Sequence, residues 1–377
     1  MLAYFDNSAT TMPCPQAVEG VKYALENCWG NPSSLHYSGN EANRLLGKCR
    51  SNVAKAIGCE TDEVLFTSGG TESNNLAVFG AARRMKSLGR RIVSSVAEHP
   101  SVYDALTELE NEGFEVIRLP IDSSGKVSAQ DIFSAVTPDT ILVSMMLVNN
   151  ETGAIMPVEK IKKALARVSS PALVHVDAVQ AFGKMNIRPS SIGADLMSVS
   201  SHKIHGPKGA GALYIKNGVR LKPLFFGGEQ GKKLRPGTEA LPALSGFGNA
   251  AREAADYRES SAYVKELRDY MLCEFEKIGG IEINSPADAL PYVTNVSVPG
   301  IKSEPMLNFL SSKGICVSAG SACSKGKKSR VLSEMGLSKE RLESPIRVSF
   351  SRFTTKEEID YLVLSLRQAR ETIYHTK

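Results

Sequence analysis

The sequence predicts an α/β protein: a large domain on a mostly parallel seven-stranded sheet, plus a smaller α+β domain. Three observations carry this. Seven short apolar runs recur between residues 64 and 215, amphipathic stretches separate several of them, and residues able to do chemistry stand just past their ends.

Residues 64–67, 91–96, 116–119, 141–148, 173–176, 196–200 and 211–215 read as strands. Residues 72–85, 101–112 and 158–168 carry the helical pattern. Strands joined through helices become parallel neighbours with both sheet faces covered, and such sheets collect ligands at the carboxyl ends of the strands.

After Glu239 the texture changes. One long Ala- and Glu-rich helical region is expected to about Ile278, followed by a strand at 293–298, a helix at 304–311 and a strand at 346–349. Thr355 and Glu358 form a capping box opening a last helix, whose apolar stripe is Ile359, Leu362, Val363, Leu366 and Ile373. The expected division is 13–254 for the large domain, with 1–12 and 255–377 forming the small one. The sequence shows no internal repeat and no low-complexity segment.

The 377 residues are 42% hydrophobic and 23% charged, ample for a large core. A formal charge of +5 is mild, and no basic tract with interleaved aromatics points to direct nucleic-acid binding. Seven cysteines are scattered without CxxC spacing, which suits a reducing compartment. The start MLAYFDNSATT lacks a signal-peptide pattern, and no greasy run would span a bilayer, so a cytoplasmic location off the membrane is expected. The six histidines lack ligand spacing, so no metal is expected.

Lys203, in SSHKIHGPKG, follows the strand-like run at 196–200. A lysine at the end of a buried strand is costly unless its amine is paired or used covalently, and one use is to anchor the aldehyde of pyridoxal phosphate. Taken alone, a solvated surface charge is the commoner fate. Matching parts lie upstream. In GGTESNN, Gly70 and Thr71 open a helix whose dipole and free N–H groups suit a phosphate, although a turn with Thr71 as plain N-cap fits equally well. His99, in AEHP, could stack on a pyridine ring and take part in proton transfer. Asp177, in VDAVQ, could hold the pyridine nitrogen protonated, and Gln180 could reach the ring's phenolic oxygen.

In order, GGTESNN, AEHP, NNETG, VDAVQ, SSHKIHGPKG, RPGTE and SAGSAC resemble the cysteine desulfurases of the NifS/IscS type, within the pyridoxal-phosphate enzymes of aminotransferase class V. The resemblance runs from Tyr4 to Phe350 and implies the type I fold of pyridoxal-phosphate enzymes. It implies that Lys203 anchors the cofactor and His99 stacks on it. Asp177 and Gln180 would hold the ring nitrogen and phenolic oxygen. Gly70, Thr71, Ser200 and His202 would bind the phosphate, joined by Thr238 from the partner subunit of a homodimer. Asn150 and Arg347 look like contacts for cofactor oxygen and substrate carboxylate, the latter because a guanidinium fork matches a carboxylate.

Cys323 lies in a small-residue, basic stretch where nearby cations favour a thiolate, although an inert loop thiol fits the residues equally well, whereas Cys316 sits in apolar ICV and reads as a core thiol. By resemblance, Cys323 takes sulfur from L-cysteine as a persulfide, leaving L-alanine. The sulfur passes to an acceptor protein, an iron–sulfur scaffold or a tRNA-thiolation enzyme. The stretch from Lys325 to Arg330 is basic, is shorter than in scaffold-serving relatives and lacks their proline, which leaves the acceptor open. Other readings are another class V enzyme (a selenocysteine lyase or an aminotransferase) and a non-catalytic binding protein of the same fold.

Overall fold

A computed structural model describes residues 1–320 and 328–373. In chain order its strands are β1 (Ala3–Tyr4), β2 (Val64–Thr67), β3 (Arg91–Ser95), β4 (Glu115–Leu119), β5 (Thr140–Met146) and β6 (Leu173–Asp177). Then follow β7 (Leu196–Ser200), β8 (Gly211–Ile215), β9 (Glu282–Ile283), β10 (Val293–Ser297), β11 (Ile315–Cys316) and β12 (Pro345–Ser349). The first four helices are α1 (Pro15–Asn27), α2 (Tyr37–Ile57), α3 (Gly70–Met85) and α4 (Pro100–Asn111).

All seven expected strands between 64 and 215 form, within a residue or two at their ends, and they join one sheet in the order β2-β8-β7-β6-β5-β3-β4. β8 pairs antiparallel with both neighbours; every other pairing in the sheet is parallel. β5, β7 and β8 are buried along their whole length, and β6 at all but its first residue, which is why they read as continuous apolar runs rather than alternating ones. β7, β6, β5 and β3 are consecutive, so residues just past their carboxyl ends stand side by side at roughly 5 Å spacing.

A three-stranded antiparallel sheet, β12-β10-β9, and a parallel pair, β1-β11, form near the two chain ends. The Thr355–Glu358 capping box opens the helix Lys356–Thr372, with both reciprocal bonds made. Ile359, Leu362, Val363 and Leu366 are buried along it. Ile373 stands just past its last turn and is partly buried against the core.

Two expectations change. The helical region after Glu239 is two helices, Leu241–Ala254 and Tyr257–Ile278, because they serve different neighbours. The first packs on α1 and α2, the second on the final helix. Cys316 is half-buried at the end of a two-residue strand that, among the described residues, pairs only with the equally short β1. Cys14, Cys28 and Cys49 are the buried thiols among the described residues.

Candidate active site

α3 follows β2 through a tight corner. Its N-cap is Gly69 at φ +155°, a conformation that suits glycine, so Thr71 lies inside the first turn and is not the cap. Among the described residues no side chain caps this end, which leaves first-turn N–H groups for an anion. A Cβ on Gly70 would lie 2.8 Å from Val179 Cγ2, so the close approach of α3 to the loop after β6 requires glycine there. Ser200 ends β7, and its hydroxyl is buried without a partner among the described residues.

These groups line one cavity of about 250 Å³ at the carboxyl edge of the sheet. Ten sequence-predicted residues line it: Gly70, Thr71, His99, Asn150, Asp177, Gln180, Ser200, His202, Lys203 and Arg347. Thr238 does not; it lines a separate surface recess with Glu72, Arg235 and Phe226. Cys323 lies outside the described residues.

Lys203 completes a short turn after β7 and is half-buried. Its amine donates to the carbonyls of Ser8 and Ala9, at 2.6 and 2.7 Å. Gln180 donates from Nε2 to the same Ser8 carbonyl at 2.9 Å, and its Oε1 accepts from the buried Lys184 at 3.5 Å. Burial, helped by the Lys203 charge, pulls Lys184 down to about 7. His202 is likewise held neutral, lowered to about 4 by burial and then by Lys203.

Asp177 is buried at the end of β6. Its Oδ1 accepts from the Val179 N–H at 3.0 Å and its Oδ2 from Asn74 Nδ2 at 2.8 Å. His99 caps α4, with Nδ1 accepting from the Ser101 N–H at 3.2 Å. Burial, more than any neighbour, lowers its pKa. Arg347, 1% exposed on β12, donates to Asp6 Oδ1 at 2.9 Å and to the Asn150 carbonyl at 3.0 Å. Ser8 Oγ donates to that carbonyl too, at 2.9 Å. Asn150 is therefore gripped by its backbone, which leaves its side-chain amide for the cavity it lines.

Sequence reasoning missed Asn74, Ser101 and the Ser8 and Ala9 carbonyls. Asn74 had a usable signal, since a polar residue one turn after Gly70 shares its helical face. The two carbonyls had none, because any residue type supplies one.

This fold and site belong to a class of enzymes that work on amino groups with a bound aldehyde cofactor. The chain belongs to the aminotransferase class V family, which it matches from residue 3 to residue 362. It is 38% identical to the cysteine desulfurase IscS of Dictyoglomus turgidum over 375 residues, covering 98% of this chain and 95% of that one. It is 42% identical to a NifS/IcsS protein homolog of Lactobacillus delbrueckii subsp. bulgaricus over 368 residues, covering 96% and 95%. A solved NifS-like protein superposes with a TM-score of 0.94 at 35% identity, over 99% of this chain and 100% of that one.

Members of this family depend on pyridoxal 5'-phosphate, and the residues present fit it. The start of α3 and the buried Ser200 hydroxyl, both without a side-chain partner among the described residues, and the space kept open by Gly70 suit its phosphate. A carboxylate (Asp177) and an amine (Lys203) line the same cavity for its ring nitrogen and aldehyde.

Proposed function

We propose that the protein is a cysteine desulfurase, taking sulfur from L-cysteine and releasing L-alanine. One observation carries the reading: an amine, a buried carboxylate, an imidazole and a guanidinium from distant segments line a single cavity. The desulfurase names of the relatives favour this over a selenocysteine lyase or an aminotransferase.

When bound, the cofactor supplies an aldehyde that exchanges amines and a ring that accepts electrons from the substrate's Cα. Lys203 would be its covalent anchor and the base that takes the substrate's α-proton. Asp177 is the partner of the ring nitrogen, and Gln180 of the phenolic oxygen. Gly70, Thr71, Ser200 and His202 hold the phosphate, with Thr238 reaching it from the second subunit of a homodimer. Arg347 takes the substrate carboxylate, the fork-shaped ligand its guanidinium matches, and Asn150 contributes its amide nearby.

Cys323 supplies the sulfur-accepting thiolate. The Cβ–Sγ bond of cysteine breaks while an S–S bond forms on Cys323. Sulfur is oxidised to the persulfide level, and the electron pair stays with Cβ, which takes a proton and becomes the methyl of alanine. The persulfide then serves an acceptor protein, an iron–sulfur scaffold or a tRNA-thiolating enzyme. This reading includes work in the cytoplasm and a division into a cofactor-binding domain at 13–254 and a small domain from 1–12 and 255–377. Among the described residues no helix is long and apolar enough to cross a membrane.

Purified protein loaded with pyridoxal phosphate should form equimolar alanine and sulfide from L-cysteine with a thiol reductant. Lys203→Ala should lose the visible absorbance of the lysine-bound cofactor and slow alanine formation by at least about 10²-fold. Cys323→Ser turning over normally would remove the thiol from the reading.

A further inference from the structure

A line of hydrogen bonds decides which nitrogen of His99 carries its proton. Asn74 Nδ2 reaches both Asp177 Oδ2, at 2.8 Å, and Ser101 Oγ, at 2.9 Å. A carboxylate offers lone pairs only, so the nitrogen of the Asn74 amide must face it. The second amide hydrogen is then aimed at Ser101 Oγ. With one lone pair engaged, the Ser101 hydroxyl turns its single hydrogen to its other neighbour, His99 Nδ1, at 2.8 Å. The Ser101 backbone N–H points at the same nitrogen from 3.2 Å. Two donors converge on Nδ1, which must supply the lone pair. Asn74, Ser101 and Asp177 are all buried, so water competes little for these bonds.

We infer that Asn74 and Ser101 are positioning residues that hold His99 as the neutral ring with its proton on Nε2. His99 then meets the cavity as a hydrogen-bond donor and presents no lone pair to it. Proton abstraction from substrate is left to Lys203, a consequence that rests on the proposed desulfurase reading; the tautomer itself does not. The charges facing the ring are mixed. Asp177 and Asp104 favour the cation, Lys203 and Arg330 oppose it, and burial, the largest influence, also opposes it. A proton on Nδ1 would face the Ser101 N–H head-on, adding a further cost.

The test is a two-bond ¹H–¹⁵N correlation spectrum of the cofactor-loaded enzyme labelled with ¹⁵N-histidine, with His99 assigned by its loss in His99→Gln. At pH 7 the spectrum should show a lone-pair nitrogen at Nδ1 and a protonated nitrogen at Nε2. A proton on Nδ1, or a cationic ring, overturns the inference. In Ser101→Ala one donor to Nδ1 is gone, so the ring should take up a second proton at a pH about 0.5–1 unit higher. Ser101→Thr, which keeps the hydroxyl, should restore the original midpoint. An unshifted midpoint in Ser101→Ala removes Ser101 from the role. These readouts do not involve turnover, so their failure leaves the desulfurase reading standing. A failure to make alanine from cysteine would, in turn, leave the tautomer measurable.

Discussion

Arg347 Nη2 donates to Asp6 Oδ1 at 2.9 Å, joining positions 341 residues apart in the chain. The same guanidinium reaches the Asn150 carbonyl, so one buried cation ties β12, the N-terminal segment and the loop after β5 around the cavity mouth. Asp6→Ala should leave a buried charge with one partner fewer. Unfolding in urea should report a loss of about 2 kcal/mol, and the KM for cysteine should rise several-fold as the guanidinium loses its alignment. An unchanged urea midpoint would deny Asp6 this part.

Ser200 gives a prediction with two opposite signs. Its buried hydroxyl has no partner among the described residues, so Ser200→Ala should leave apoprotein stability unchanged or slightly raised. The same change should weaken cofactor binding about tenfold, as expected for one lost bond to a charged phosphate. Thermal melts of apoprotein and fluorescence titration with pyridoxal phosphate separate the two effects.

Gly70→Ala tests the close approach of α3 to the loop after β6. The new methyl carbon would meet Val179 Cγ2 at 2.8 Å and Ser200 Cβ at 3.8 Å. α3 or the Val179 side chain must give way at the corner, so cofactor affinity should fall about tenfold while far-ultraviolet circular dichroism stays constant. Equal affinity in the two proteins would mean that this corner does not hold the phosphate.

Glu98 predicts a pH dependence of stability. Its carboxyl is fully buried and accepts from Ser95 Oγ at 2.6 Å and the Met146 N–H at 3.0 Å. Its second oxygen is unpartnered among the described residues. Burial, chiefly, pushes it up to about 8. The folded state therefore keeps a proton that the unfolded chain gives up near its ordinary carboxylate pKa. Its contribution is fully present below about pH 4 and declines as pH rises towards 8, by at most about 1.4 kcal/mol per pH unit. Glu98→Gln mimics the protonated form and should flatten the urea midpoint between pH 5 and 8. An equally steep profile in the variant would place the dependence elsewhere.

Legibility in the sequence followed the strength of local contrast. The seven strands of the large sheet stood out because buried parallel strands are short, apolar and punctuated by turn residues. α1 and α2 did not stand out. The buried positions of α1 are small ones, Ala17, Gly20 and Ala24, and on α2 Gly39, Ala42 and Ala54 interrupt the bulkier Leu46, Val53 and Ile57. Little apolar bulk marks such a face. Small residues serve here because both helices pack on Leu241–Ala254, where a Cβ on Gly20 would lie 2.9 Å from the Ser245 carbonyl.

What the sequence determined by itself is a set of chemical parts and their order: Lys203, Asp177, His99 and Ser200 at or just beyond strand ends, and Arg347 within a strand near the other end of the chain. Strand period and turn chemistry are local, so they place each part on its own element. Tertiary structure alone decided what faces what. The Ser8 carbonyl meets the Lys203 amine across 195 residues, and the Asn74 amide meets Asp177 across 103. Those meetings depend on which strands become neighbours and how an end segment folds over the sheet. Backbone carbonyls and amide rotations carry no signature in the residue code, and burial is what makes their hydrogen bonds obligatory.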